Sequence, residues 1–218
     1  MVTEERRAEF RRQLIKTFRL YSRFYDLIEV VVPFLRANPR LEVTRKIPAE
    51  AGMVLDACTG NGAVLAALAK THPASTVYGL DLSPDMLKLA ERRIRRKRLA
   101  NVKIFSGDCT KMPFPDSTFD AVAGSYGLHE MPLDIRRGAL AEALRVLAPK
   151  GLLVLIDWDA PRGFLQRIVS PLRDSVEPGY IDELFGDGLA RLVKEAGFED
   201  VVVERKVILS QLVLARKP

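Results

Sequence analysis

Near the N-terminus, apolar positions recur at steps of three and four. Phe10, Leu14, Phe18, Tyr21, Phe24 and Ile28 share one face of a helix expected over residues 4 to about 28, and its opposite face is rich in arginine. Pro33 and Pro39 interrupt the next stretch, and residues 43–51 read as a connector. From Met53 the pattern changes to short, almost wholly apolar runs separated by amphipathic stretches. Strands are expected at 53–56, 77–81, 102–105, 120–124 and 151–157. Helices are expected at 63–70, from Ser83 to about Lys97, and at 133–147, with Ser83 as N-cap and Pro84 in the first helical position. Apolar strands alternating with helices belong to a parallel sheet covered on both faces. The tail departs from this rhythm. Residues 181–196 are helical but interrupted near Gly186 and Gly188, and 201–207 and 209–215 are β-rich with almost no connector between them. No crossover helix fits there, so a pairing of these two runs is antiparallel. The expected fold is α/β: a doubly wound, mostly parallel seven-stranded sheet with a C-terminal antiparallel hairpin and an N-terminal helical extension. The extension takes residues 1–45 and the main domain 46–218, with a Pro- and Arg-rich insertion at 160–180 read as a lid.

Composition narrows the class without changing this picture. The 218 residues are 48% hydrophobic and 28% charged, ordinary for one globular domain with additions. The start is charged, so no signal peptide is expected, and the longest apolar runs are strand-sized. The two cysteines, Cys58 and Cys109, form neither a disulfide framework nor a zinc spacing. A cytoplasmic protein without a metal is expected. The net charge of +6 is uneven, with basic blocks in the N-terminal helix and at residues 92–98. No nucleic-acid recognition module accompanies them. Their charge keeps a non-catalytic cofactor- or RNA-binding module as the alternative from another class, and turnover separates it from an enzyme.

The chemistry concentrates after the first strand. Asp56-Ala57-Cys58-Thr59-Gly60-Asn61-Gly62 joins strand to helix. Gly60 and Gly62 permit a tight turn and close ligand approach, and the helix beyond them turns its N–H groups to the same space. The second strand ends in Asp81, about twenty residues on, where a ribose hydroxyl pair is gripped in nucleotide-binding folds. A nucleoside-containing cofactor is implied. A nicotinamide pattern fits poorly. Aligned on Gly60 and Gly62, its third glycine falls on Leu65, aligned two residues earlier its first falls on Cys58, and no Tyr-x-x-x-Lys comes after the fourth strand.

With Asp56 on the strand, the loop resembles the D-x-G-x-G-x-G motif of class I S-adenosylmethionine-dependent methyltransferases, departing from it at Cys58. Three further segments resemble the ubiquinone/menaquinone biosynthesis C-methyltransferase group. They are Phe24-Tyr25-Asp26-Leu27, the run from Gly107-Asp108-Cys109 through Pro113-Phe114 to Phe119-Asp120, and Arg145-Val146-Leu147-Ala148-Pro149-Lys150-Gly151. The resemblance covers roughly residues 20–160 and implies S-adenosyl-L-methionine as cofactor. By the same resemblance Asp81 binds the ribose, and Gly60, Asn61 and Gly62 pass beside the methionine moiety, with Asp56 and Cys58 in the same loop. Asp108 takes the adenine amino group, Cys109 offers its backbone N–H to the ring, and Leu82 and Met86 pack on it. Because Cys58 carries a Cβ, a negative φ is expected there.

The acceptor side is read less directly. His129, just beyond the fourth strand, is the candidate general base, and His72 a helix-end residue. Tyr25, Tyr126, Asp157 and Trp158 are candidates to line the acceptor pocket, with Glu130 a polar rim residue. The acceptor is expected to be small and hydrophobic, in a quinone-pathway C-methylation. The alternative within the class is N- or O-methylation of another small molecule or a phospholipid headgroup. The N-terminal extension is expected to pack over and cover the active site, and its basic helix allows peripheral contact with the inner membrane surface. Oligomeric state is not legible.

Overall fold

The structure, a computed structural model, describes residues 3–21, 40–159, 182–207 and 210–218. Seven strands form one sheet: β1 (Met53–Ala57), β2 (Thr76–Asp81), β3 (Val102–Ser106), β4 (Phe119–Ser125), β5 (Leu147–Trp158), β6 (Glu199–Val207) and β7 (Ser210–Arg216). Their order is β3-β2-β1-β4-β5-β7-β6. The first five pair in parallel, and β7 lies antiparallel between β5 and β6. The expected sheet and hairpin are both present. The order reverses between β1 and β4, so the crevice at their C-terminal ends is where a ligand of an open α/β sheet sits.

The helices are α1 (Glu4–Tyr21), α2 (Arg40–Lys46), α3 (Ala63–Thr71), α4 (Pro84–Lys97), α5 (Leu133–Val146) and α6 (Gly188–Glu195). The sheet buries both faces, as its alternation shows. Val54, Ala121 and Val154 join α2, α3 and α4 in one apolar cluster, while Leu55, Val122 and Leu153 join α5 and α6 in the other. Helix α4 begins as its sequence requires: the Ser83 hydroxyl accepts from Met86 N, and Pro84 comes next. The stretch expected as a connector from residue 43 instead contains the end of α2. Val43 and Ile47 are four apart and both buried against α3, and that contact stabilises the short helix despite Pro48 just beyond it.

Helix α1 is capped by Thr3, whose hydroxyl accepts from Arg6 N, and Glu4 and Glu5 in its first turn suit the helix dipole. The described helix ends at Tyr21, so Phe24, Ile28 and the Phe24–Leu27 motif with Tyr25 lie outside the described residues, as does the expected lid at 160–180.

Candidate active site

A cleft opens at the switch point. The β1–α3 loop forms its floor. Asp56, fully buried, accepts from the Thr59 hydroxyl at 2.6 Å, and Thr59 N donates to Leu80 O, fastening the loop to the end of β2. Asp56 therefore supports the loop and is not itself part of the cleft wall, whereas Cys58, Thr59, Gly60 and Asn61 are. The two glycines do different work. Gly60 has φ +54°, and a Cβ there would meet only Met86 Cε at 3.6 Å. Gly62 has φ +74°, and a Cβ would lie 2.9 Å from Ala90 Cβ, so it permits close packing of α3 on α4.

Cys58 reverses an expectation: its φ is +58°, in the left-handed region. The loop needs that conformation at this position whichever residue fills it, and the chain adopts it at a cost of about 1–2 kcal/mol that glycine would avoid. The thiol stays protonated, its pKa pushed well up by the Cys109 thiol, by burial and by the carboxylates of Asp81 and Asp56.

Asp81 ends β2 in the cleft wall. One oxygen accepts from Gly60 N at 2.7 Å and the other from Ser83 N at 2.9 Å. Burial nevertheless raises its pKa, against the backbone donors of Ser83, Gly60 and Leu82. A vicinal diol donating two more hydrogen bonds is what such a carboxylate lacks. Asp108 closes a turn, its Oδ1 accepting from Thr110 N and the Thr110 hydroxyl, and it lines the cleft with Cys109, Leu82 and Met86. Phe114 in the same loop packs edge-on against Tyr78, Phe105 and Phe119. Arg145 binds the carbonyls of Met112 and Phe114 and the carboxylates of Asp116 and Glu142, and Glu142 accepts from Met112 N. The Asp108 loop is thus tied to α5.

The opposite wall is the 126–131 loop. Tyr126 lines the cleft, and its hydroxyl pairs with Ser210 Oγ at 2.7 Å. The Trp158 ring lies 5.0 Å from that of Tyr126. Helix α1 closes the cleft with Phe10 and Leu14.

Residues 54–151 match the family model described as a methyltransferase domain. The chain is 33% identical over 211 residues to the demethylmenaquinone methyltransferase of Geobacillus kaustophilus, covering 87% of this chain and 89% of that protein. It is 32% identical over 185 residues to the enzyme of the same name from Listeria monocytogenes, covering 83% and 75%. The chain belongs to the class I S-adenosylmethionine-dependent methyltransferases. The fold agrees. A SAM-dependent methyltransferase from Aquifex aeolicus superposes with a TM-score of 0.64 at 23% identity, over 83% of this chain and 90% of that one. Phosphoethanolamine N-methyltransferase 2 of Haemonchus contortus, in complex with S-adenosyl-L-methionine, gives 0.66 at 18% identity, over 83% and 52%.

In this methyltransferase the cofactor is S-adenosyl-L-methionine, and the floor of the cleft fits it. The loop around two positive-φ glycines leads into α3, whose N-cap is Gly62 without a side-chain cap, and Asp81 stands ready for a diol. The acceptor wall differs from expectation at three residues, of which Trp158 stands against the Tyr126 ring but does not line this cleft. Asp157 is buried and committed: Oδ2 accepts from Leu128 N and His129 N, and Oδ1 from Trp158 N. It builds the loop and does not line this cleft. His129 Nδ1 lies 2.8 Å from Asp157 Oδ1, with its side chain 9% exposed. Burial opposes its charge, but Asp157 and Glu130 outweigh burial and push its pKa up to about 10. The pair with Asp157 favours the charged imidazolium over the neutral ring that a general base needs, so this geometry argues against the general-base role expected for it. His72 is the helix-end residue expected, its Nε2 3.1 Å from Ile47 O.

Several wall residues are not evident from sequence. Thr59 lies three residues beyond Asp56, a spacing that suits a side-chain turn. Phe10 and Leu14 belong to the expected apolar helix face, but periodicity does not say what a face covers. Arg136 gives no signal. It is fully buried in α5, donating to Leu128 O and to Glu183, and so joins the acceptor loop to the turn at 182–184.

Proposed function

We propose that this methyltransferase methylates a ring carbon of a lipophilic quinol, of the kind for which the demethylmenaquinone methyltransferases are named. The observation that carries this is the extent of the likeness: identity of 33% runs over 87% of the chain and 89% of the relative, beyond the methyltransferase domain at residues 54–151. That reach supports a shared class of acceptor. The apolar wall of Phe10, Leu14 and Met131 supports the same reading.

The cofactor supplies a methyl group already activated on a sulfonium. The protein's part is to hold it, exclude water and align the ring. Asp81 takes the ribose hydroxyls, and Gly60, Asn61 and Gly62 run beside the methionine moiety. Asp108, Cys109, Leu82 and Met86 surround the adenine, and Tyr126, backed by Trp158, faces the acceptor side. The N-terminal extension acts as the cover, because α1 contributes Phe10 and Leu14 to the cleft. Its outer face carries Arg11, Arg12, Lys16 and Arg19. With the apolar face turned to the cleft, this side suits electrostatic contact with anionic lipid, about 1 kcal/mol per basic residue. Among the described residues no helix is long and apolar enough to cross a membrane. On this reading the enzyme meets a lipid-soluble acceptor as a peripheral protein at the inner membrane surface.

The test is turnover with a short-chain demethylmenaquinol kept reduced, set against phosphoethanolamine. Methylation of the quinol supports the reading, and methylation of phosphoethanolamine alone refutes it. Removing residues 1–20 should raise the KM for a soluble quinol and abolish binding to anionic vesicles; unchanged values in both assays would leave the extension without either role.

A further inference from the structure

One charged group in the cleft is left unused by the cofactor. Glu130 ends the turn Leu128–Glu130 and lines the cleft. Behind it stands His129, whose Nε2 lies 3.4 Å from Glu130 Oε1. Behind His129 is Asp157, 2.8 Å from Nδ1 and fixed by the N–H groups of Leu128, His129 and Trp158. The side chains of Asp157, His129 and Glu130 are 1%, 9% and 39% exposed, so they form a line from the buried end of β5 out to the cleft.

The other carboxylates of the wall and the Tyr126 hydroxyl are engaged. Asp81 holds Gly60 N and Ser83 N, Asp108 holds Thr110, and the Tyr126 hydroxyl pairs with Ser210. Glu130 accepts no backbone N–H among the described residues, and its ion pair is with His129. With Nδ1 against Asp157 and Nε2 against Glu130, the fixed ring aims this carboxylate without consuming it, since a carboxylate offers about four acceptor sites. We propose that Glu130 receives the ring hydroxyl of the acceptor, with His129 and Asp157 as positioning residues. This rests on the reading that the acceptor is a hydroxyl-bearing ring. An ionised carboxylate makes a short, charge-assisted bond to such a hydroxyl and feeds electron density into the ring.

The test uses the full chain and binding alone, with 1-naphthol and its methyl ether, 1-methoxynaphthalene, as probes followed by fluorescence. The wild type should bind the naphthol roughly 10- to 100-fold more tightly than the ether, the range of one hydrogen bond to a charged group. Glu130→Met should bring that ratio close to one while leaving affinity for the ether and for S-adenosylhomocysteine unchanged. Glu130→Gln, which keeps an amide oxygen, should retain part of the ratio. His129→Gln should lower it with S-adenosylhomocysteine binding intact, which a merely misfolded loop would not do. A ratio near one in the wild type, or a full ratio in Glu130→Met, overturns the proposal while the quinol reading stands. If neither probe binds the wild type, the ring-acceptor reading fails and takes this proposal with it.

Discussion

The two halves of the cleft are built by different means. On the cofactor side the stabilising contacts are short in sequence or pass from a side chain to a backbone group. Asp56 holds Thr59, Asp81 holds Gly60 and Ser83, and Asp108 holds Thr110. On the acceptor side they join side chains far apart in the chain. His129 meets Asp157, Arg136 meets Glu183, and Arg205 meets Asp159 and Asp187. Gln211 ties the carbonyls of Trp158 and Leu184 together. The first half presents a fixed backbone surface to a ligand common to the class. The second holds its loops by polar pairs between distant parts of the chain.

The contrast can be broken first at Asp81. Asp81→Ala removes the acceptor for Gly60 N and Ser83 N and the two ribose contacts proposed for it. At about 1.5–3 kcal/mol per bond to a charged acceptor, S-adenosylhomocysteine should bind at least roughly 100-fold more weakly by calorimetry. Unchanged affinity would remove Asp81 from the site. On the other side, His129→Asn should leave that affinity alone but lower stability by about 3 kcal/mol, because it strands buried Asp157. The pH dependence has a definite sign. His129 is raised from 6.5 to about 10 on folding, so the charged pair contributes fully below pH 6.5 and its contribution fades as pH rises towards 10. Denaturant melts of wild type and variant should therefore converge across that window. A stability gap that is constant with pH would contradict the charged pair.

Smaller effects sharpen the loop. Gly62→Ala should cost about 2–3 kcal/mol, since its Cβ would lie 2.9 Å from Ala90 Cβ at a positive φ. Gly60→Ala has the positive φ but no such clash, and should cost about 1 kcal/mol. Cys58→Gly relieves a strained φ and gives up some packing, so its stability should shift by no more than about 0.5 kcal/mol in denaturant melts, with cofactor affinity kept. A large loss of affinity in Cys58→Gly would mean that the thiol contacts the cofactor.

The legibility of the sequence divides along the same line. Strand alternation, the Ser83-Pro84 cap and the antiparallel tail rest on local pattern, and each appears as expected. The loop and Asp81 are legible because a backbone-binding ligand imposes glycine and carboxylate positions. Helix α2 is not, because its reason for existing, Val43 and Ile47 against α3, is tertiary. The sign of φ at Cys58 runs against expectation because a Cβ disfavours the left-handed region without forbidding it. His129 stands out by its position after β4. Its charge state depends on Asp157, 28 residues away, which no local pattern reveals.

The central claim is where the methyl group lands. Methyl transfer from ¹³C-methyl-labelled S-adenosylmethionine to a reduced, short-chain demethylmenaquinol can be followed by carbon NMR of the product. The predicted product carries one labelled methyl bonded to the ring carbon beside a hydroxyl, with both hydroxyls unmethylated. A label on oxygen, or no labelled quinol from an enzyme that binds S-adenosylhomocysteine normally, would contradict it.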